Sequence, residues 1–256
     1  MLDEKNRTGA SYLEGRKETE GSRRKRMIFG MVLILAAIPA ILVLGMTVMQ
    51  ERGMYFVSLG IICLAILPFV VLFENRRPQA RELVLIAVLT AIAVAGRAAF
   101  FMTPQFKPVT AIVIIAGIAL GAQAGFLTGA LSGFVSNFFF GQGPWTPWQM
   151  FAFGIIGFLA GVLFHKREKR QQESRLVVCI FGGIATFFIY GLLLDTSSYL
   201  MYTSQISRAA LLAIYASGLP FNLIHASSTV IFLLFLYHPL LKKLERVKLK
   251  YGLDGV

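Results

Sequence analysis

The 256-residue sequence has few acidic side chains, and long stretches have none. Asp and Glu number 13 against 25 Lys and Arg; none occurs from 83 to 167, and only Asp195 occurs from 174 to 244. Paired carboxylates for acid–base catalysis, proton relays and cation sites are therefore not expected there. Cys63 and Cys179 are far apart, without metal-ligand or disulfide spacing. No GxxxxGK[ST] loop or HExxH motif occurs, so ATP hydrolysis and zinc peptidase chemistry by those motifs are excluded, and no metal or cofactor is expected.

Apolar residues, by contrast, make up 56% of the chain, and the mean hydropathy is +0.69. One soluble core cannot cover that much apolar surface. Seven mostly apolar runs are long enough to cross about 30 Å of hydrocarbon, and a shorter one completes a set of eight. The runs lack the alternation of barrel strands, which predicts an all-α integral membrane protein. They cover 27–49, 54–73, 83–101, 109–120, 122–140, 148–164, 176–198 and 209–237.

Most basic residues fall in four segments. If all eight apolar runs cross the membrane, these four segments lie on the same side of it. Because Lys and Arg accumulate on the cytoplasmic side, both termini are predicted to be cytoplasmic, and the turn 138-FFFGQGPWTPWQMF-151 extracytoplasmic. This rule also explains the net charge of +12 without nucleic acid. The first run is too long for a signal peptide and no A-x-A-like site follows it, so a retained span is expected. The basic segments are 23-RRKR-26 with its tail, 74-ENRRPQARE-82, 165-HKREKRQQESR-175 and 242-KKLERVKLK-250.

The chain divides near residues 74–82, because the runs before this segment are generic while those after residue 83 are rich in Gly, Ala and Phe. The predicted organisation is a basic tail (1–26), a two-helix transmembrane hairpin with a linker (27–82), a six-helix membrane domain (83–240) and a second basic tail (241–256).

Small residues recur every four positions in the six-helix part, which lets helix backbones approach closely. Glycines with this spacing predict tight packing inside the bundle. Alanines with the same spacing lie on one face of the 83–101 run, where they either pack internally or dock against another membrane subunit. The glycines are Gly117, Gly121, Gly125, Gly129 and Gly133, followed by Gly154, Gly157 and Gly161; the alanines are Ala87, Ala91 and Ala95.

One enzyme hypothesis pairs Ser132 in 129-GALSG-133 with His225, as intramembrane serine proteases of the rhomboid type pair a serine with a histidine. Their G-x-S-G pattern needs glycine where this chain has Ala130, and no oxyanion-forming His and Asn pair is evident. Ser132 is better interpreted as a packing residue bonded to its own helix, and His225 as a hydrogen-bonded group inside the bundle.

Uncharged polar and aromatic side chains gather instead on the predicted outer face. A pocket lined by aromatics with a few amides suits an uncharged or modestly polar organic molecule, although Trp and Tyr belts also form at membrane interfaces without a ligand. Pro220 can kink the last helix beside two of these residues. The candidate ligand contacts are Arg97, Gln105, Lys107, Asn137, Gln142, Trp145, Trp148, Gln149, Asn222 and His225, with Asp195, Tyr199, Tyr202 and Gln205 nearby.

The segment 105–161 resembles the membrane-embedded substrate-binding component (S-component) of energy-coupling factor (ECF) transporters. The run 121-GAQAGFLTGALS-132 and the Gly and Pro turn after it are its most specific part, and the likeness covers about 83–240. It implies a six-helix bundle with an outer pocket, capped by loops at about 97–108, 140–148 and 196–207. The aromatic turn at 138–151 then resembles the lid and wall of a vitamin pocket.

The resemblance also implies a prokaryotic plasma-membrane protein that is a transport subunit and not an enzyme. Such a subunit captures a micronutrient, docks onto a transmembrane scaffold subunit with two cytoplasmic ATPases, and releases the micronutrient inside the cell. By position, Ala87, Ala91 and Ala95 would form the docking face. The large uncharged lid with two tryptophans resembles the cobalamin-type members, while folate, queuosine-type precursors, pantothenate and other nucleobase-like compounds stay open. The two extra N-terminal spans depart from the six-helix plan, and they put the docking face in doubt if they cover it. A structural or assembly protein without a ligand and a stand-alone facilitator are the alternatives.

Overall fold

A computed structural model describes residues 53–75, 79–165, 174–203 and 207–252. The predicted first span (27–49), the N-terminal tail and Gln205 lie outside these ranges. The described chain is helical and contains no strand, which confirms the all-α class. Its elements are α1 (Gly53–Asn75), α2 (Ala80–Ala99), α3 (Val109–Leu120), α4 (Ala122–Phe140), α5 (Thr146–Phe164), α6 (Arg175–Ala185), a π-helical segment (Thr186–Gly191), α7 (Leu192–Tyr202) and α8 (Arg208–Tyr251).

Four of the described helical units are long and apolar enough to cross a membrane: α2, α5, the unit from Arg175 to Tyr202, and α8. Two shorter apolar stretches accompany them, Ile62–Val71 within α1 and all of α3. Helix α4 has 19 residues but is less apolar, because polar side chains such as Gln123 and Asn137 interrupt it.

Helix α3 forms the centre of the bundle, and all of its residues are buried. It ends at Gly121, whose φ of +96° is a conformation that glycine tolerates and other residues rarely adopt. The last carbonyl groups of a helix have no backbone partner within the helix, and here two side chains act as hydrogen-bond partners for them. The His165 Nδ1 atom lies 2.9 Å from the Ile118 oxygen, and Lys248 Nζ donates to the Ala119 oxygen over 2.8 Å. This capping allows a 12-residue helix to end inside the protein.

The regularly spaced glycines form the contact of α3 and α4 with α5, as the spacing predicts. A Cβ added at Gly117 would lie 2.1 Å from the Gly157 oxygen, and one at Gly129 would lie 2.4 Å from the Phe153 oxygen. Real Cβ atoms do not approach this closely, so the backbones meet only because side chains are absent.

Helix α1 packs on α4, α5 and α7. Its Phe69 ring stacks on Phe126 of α4, with ring centroids 4.0 Å apart, and meets Phe158 of α5 edge-on at 5.1 Å. The three predicted docking alanines on α2, Ala87, Ala91 and Ala95, remain exposed. Helix α1 therefore does not cover the alanine face.

Helix α8 continues beyond the apolar run 209–237, through Pro220 and Pro239, to Tyr251. The helix outlasts the apolar run because Lys, Leu, Glu and Arg are good helix formers. Most of the segment predicted as a C-terminal basic tail is thus helical, and the αL residue Gly252 (φ +65°) ends it.

Candidate functional site

Arg97, near the C-terminal end of α2, anchors a polar cluster at the predicted outer end of the bundle. Its Nη1 donates to Ser136 Oγ and, over 3.0 Å, to Asn137 Oδ1, both on α4. Its guanidinium carbon lies 4.6 Å from the centroid of the Phe140 ring. Burying the charge of an arginine in a membrane domain is costly, so such an arginine marks a candidate functional site.

Asn137 joins Arg97 to the lid, the turn at 141–145 between α4 and α5. Asn137 is 1% exposed, and its Nδ2 donates to Gln149 Oε1 over 2.9 Å and to Thr146 Oγ1 over 3.0 Å. Thr146 in turn donates to Gln142 Oε1 and accepts from the Gly143 N–H. The lid is therefore held by hydrogen bonds to the buried end of α4.

The chain of contacts continues inward from Gln149 to His225. Gln149 Nε2 donates to the Tyr190 hydroxyl over 3.4 Å, and the Tyr190 ring meets the His225 ring edge-on at 4.5 Å. Phe153 packs against Tyr190 at 4.8 Å. His225 Nε2 lies 3.0 Å from Thr110 Oγ1, whereas its Nδ1 is buried without a partner among the described residues. An unpaired buried nitrogen costs free energy, which a bound polar molecule would recover.

Lys107 completes the cluster from the loop between α2 and α3. Its backbone oxygen accepts from Ser228 Oγ over 3.0 Å, and its Nζ lies 5.4 Å from the Phe140 centroid. Burial lowers the pKa of Lys107 below its ordinary value, and the charge of Arg97 lowers it further. Arg97 and Lys107 therefore bring two positive charges to one aromatic ring.

The other predicted ligand contacts lie in the lid, in the α2–α3 loop and in helices α5 and α8. Trp148 is 7% exposed, and Trp145 packs on Gly143 within the lid. Gln105 stands in the α2–α3 loop with a positive φ of 55°. Asn222, one turn from His225, donates to Asp195 Oδ2 over 2.8 Å.

Tyr199 connects the two described sides of the last outer loop, which was predicted to cap the pocket; residues 204–206 of that loop lie outside the described residues. The Tyr199 hydroxyl bonds to the backbone N–H of Ser207 over 2.9 Å and to its oxygen over 3.3 Å, whereas Tyr202 is exposed. Tyr199 and Ser207 therefore stabilise the connection between α7 and α8.

Ser132 and His225 form no catalytic pair. Ser132 Oγ donates to the Thr128 oxygen of its own helix over 2.6 Å, and His225 bonds to Thr110 instead. This agrees with the interpretation of Ser132 as a packing residue. Within the part of the chain that the structure describes, no three His, Cys, Asp or Glu side chains gather as a metal site requires.

Sequence reasoning missed several members of the cluster, because most of them stand inside apolar runs. Tyr190 lies in the π-helical segment, a feature found frequently at functional sites. Only the neighbouring Gly191 and a polar residue within an apolar run, Thr186, mark the segment in the sequence. The missed members are Thr110, Ser136, Phe140, Thr146, Phe153 and Tyr190.

Comparison with known proteins gives matches over the six-helix part. A family model described as "ECF-type riboflavin transporter, S component" matches residues 78–243. A UPF0397 protein of Aliivibrio fischeri (strain MJ11) is 30% identical over 159 residues, which cover 55% of this chain and 82% of the relative. A UPF0397 protein of Vibrio atlanticus (strain LGP32) is 27% identical over 118 residues, which cover 44% of this chain and 64% of the relative. No solved structure matches.

Proposed function

Because the chain belongs to the family of ECF-type riboflavin transporter S components, we propose that it captures a vitamin-type micronutrient at its outer polar cluster for uptake. Membership makes it a transport subunit of a prokaryotic plasma membrane. The observation that carries the proposal is the unbroken chain of contacts from the lid to His225. Polar and ionisable side chains inside an apolar membrane bundle are rare, and they mark a binding site or a pathway by default.

The shape of the cluster supports a ligand with a planar heteroaromatic ring. Phe153, Tyr190 and His225 present ring faces and edges to one another, at 4.8 Å and 4.5 Å between neighbouring centroids. The amides of Asn137 and Gln149 stand beside them, and amides can pair with ring carbonyl and N–H groups. A flavin has this character, as the name of the matching family suggests. The expectation of cobalamin rests on the large uncharged turn with Trp145 and Trp148, so a corrinoid is tested beside the flavins in the binding assay below.

We further propose that release inside requires partner subunits. The described residues include no phosphate-binding loop, so ATP hydrolysis falls to cytoplasmic ATPases joined through a transmembrane scaffold. The exposed alanines Ala87, Ala91 and Ala95 are the proposed contact with that scaffold, because small residues allow close helix approach. Both termini are proposed to be cytoplasmic, in keeping with the distribution of Lys and Arg.

The test is binding of a vitamin panel to the purified protein in lipid nanodiscs, measured by calorimetry. The panel contains flavins, cyanocobalamin, folate, pantothenate and a queuosine precursor. Tyr190→Phe removes the hydroxyl that positions Gln149 and should weaken binding about tenfold. Tyr215→Phe is the matched control, because its hydroxyl bonds to Thr196 in the α7–α8 hairpin.

Binding of one panel member at about micromolar concentration or below, weakened only by Tyr190→Phe, would support capture at this cluster. No binding by any member would favour the structural or assembly alternative. Uptake into vesicles that contain this chain alone would favour the facilitator.

A further inference from the structure

Arg97 and Lys107 are two cations without an acidic counter-ion among the described residues. The hydrogen bonds of Arg97 go to a hydroxyl and an amide, and the Nζ of Lys107 faces the Phe140 ring. Asp195, the acidic residue at the predicted outer side of the last helices, accepts its hydrogen bond from Asn222 on α8. Among the described residues, the two charges therefore repel each other and have only neutral groups around them.

Such a pair is unfavourable at the edge of a membrane domain. Like charges in a medium of lowered dielectric repel more strongly than in water, and buried charges are normally paired. The lowered pKa of Lys107, caused by its burial and by Arg97, has the same origin. A negatively charged group between them would convert this repulsion into charge-assisted hydrogen bonds.

A second and independent observation marks the other end of the cluster. His225 is 3% exposed and its Nδ1 has no partner among the described residues. The Phe153 and Tyr190 rings pack against the His225 ring, with centroids 6.2 Å and 4.5 Å away. The cluster therefore combines two cations, aromatic rings and one buried polar nitrogen.

We infer that the natural ligand is an acidic micronutrient whose carboxylate or phosphate binds between Arg97 and Lys107, with its ring lying toward Tyr190 and His225. This inference rests on the proposed function and narrows its ligand to the acidic class. It differs from the sequence analysis, which predicted an uncharged or modestly polar ligand. The phosphate of a membrane lipid has the same chemistry. The inner contact at His225 favours a ligand with a polar ring, because a lipid phosphate carries acyl chains instead.

The experiment compares acidic ligands with neutral partners of nearly the same shape. The pairs are riboflavin 5′-phosphate with riboflavin, nicotinate with nicotinamide, pyridoxal 5′-phosphate with pyridoxal, and pantothenate with panthenol; cyanocobalamin is added. Affinities are measured by calorimetry in phosphatidylcholine nanodiscs, and native mass spectrometry records co-purified lipid. The variants are Lys107→Gln, Arg97→Gln and the control Arg208→Gln, whose side chain is exposed at the start of α8.

We expect one acidic member to bind at least about tenfold more tightly than its neutral partner, and Lys107→Gln to remove most of that preference. Arg208→Gln should leave the affinity within about twofold, because an exposed charge contributes little. The Lys107 side chain makes no described hydrogen bond, so Lys107→Gln is expected to fold even if Arg97→Gln does not.

Tight binding of a neutral ligand that Lys107→Gln leaves unchanged would overturn the inference and keep the proposed function. A phospholipid that co-purifies with the wild type and is lost in Lys107→Gln would assign the cations to lipid and also overturn it. No binding by any compound would overturn both the capture function and the inference.

Discussion

Replacing Asn137 by Leu should destabilise the protein by about 3 kcal/mol. The side chain is buried and makes three hydrogen bonds, at 3.0 Å from Arg97, 3.0 Å to Thr146 and 2.9 Å to Gln149. A bond to a charged group contributes about 1.5–3 kcal/mol, and neutral bonds in membrane proteins average about 0.6 kcal/mol each. Leucine is similar in size, so the loss reports hydrogen bonding more than cavity formation.

The measurement is the free energy of unfolding in mixed micelles, titrated with sodium dodecyl sulfate. Gln123→Leu is the matched control: it makes the same amide-to-leucine change at the opposite end of α4, where Oε1 is buried and has no partner among the described residues. The control should change stability by less than about 1 kcal/mol or raise it. Equal losses in the two variants, or a loss below about 1 kcal/mol for Asn137→Leu, would refute the assignment of Asn137 as the hub of the cluster.

Three further predictions concern packing, docking and charge. Gly157→Ala should prevent stable folding, because its Cβ would lie 2.4 Å from the Gly125 oxygen. Gly60→Ala, whose Cβ would meet no described atom within 4 Å, should instead raise the unfolding free energy by up to about 1 kcal/mol. Ala91→Leu should abolish co-purification of scaffold and ATPase subunits yet leave ligand affinity unchanged; normal co-purification would contradict docking through this face. Affinity for an acidic ligand should fall as pH rises through the lowered pKa of Lys107, and Arg97→Gln should move that fall to higher pH because the charge of Arg97 lowers this pKa. An unchanged pH profile in Arg97→Gln would show that the charge of Arg97 does not act on Lys107.

Hydropathy predicted the helices well, because every membrane helix needs an apolar run of a minimum length. The runs 109–120 and 122–140 match α3 and α4 residue for residue, since Gly121 marks the break between them. Hydropathy gives no sign that α8 continues to Tyr251, because the helix after residue 237 keeps its backbone hydrogen bonds while its side chains become polar. The glycine spacing also predicted the contact of α3 and α4 with α5, because a glycine in a membrane helix reports close backbone approach.

The candidate site was only partly predictable. The polar members Arg97, Asn137 and Gln149 stand out against an apolar background, and the structure joins them directly. Tyr190 and Phe153 do not stand out, because aromatic residues are common throughout the chain and only tertiary packing shows which of them meet. The pairing of Lys107 with Phe140 likewise depends on the path of the α2–α3 loop, which no periodicity indicates.

The most direct test of micronutrient capture is native mass spectrometry of the protein gently extracted from the membranes of its own host. The account predicts a stoichiometric small molecule with the mass of a vitamin or a related compound. That mass should be lost when Trp145 and Asn137 are both replaced by Ala, and retained in Tyr215→Phe. A spectrum of the protein alone, still empty after soaking with the vitamin panel, would contradict high-affinity capture.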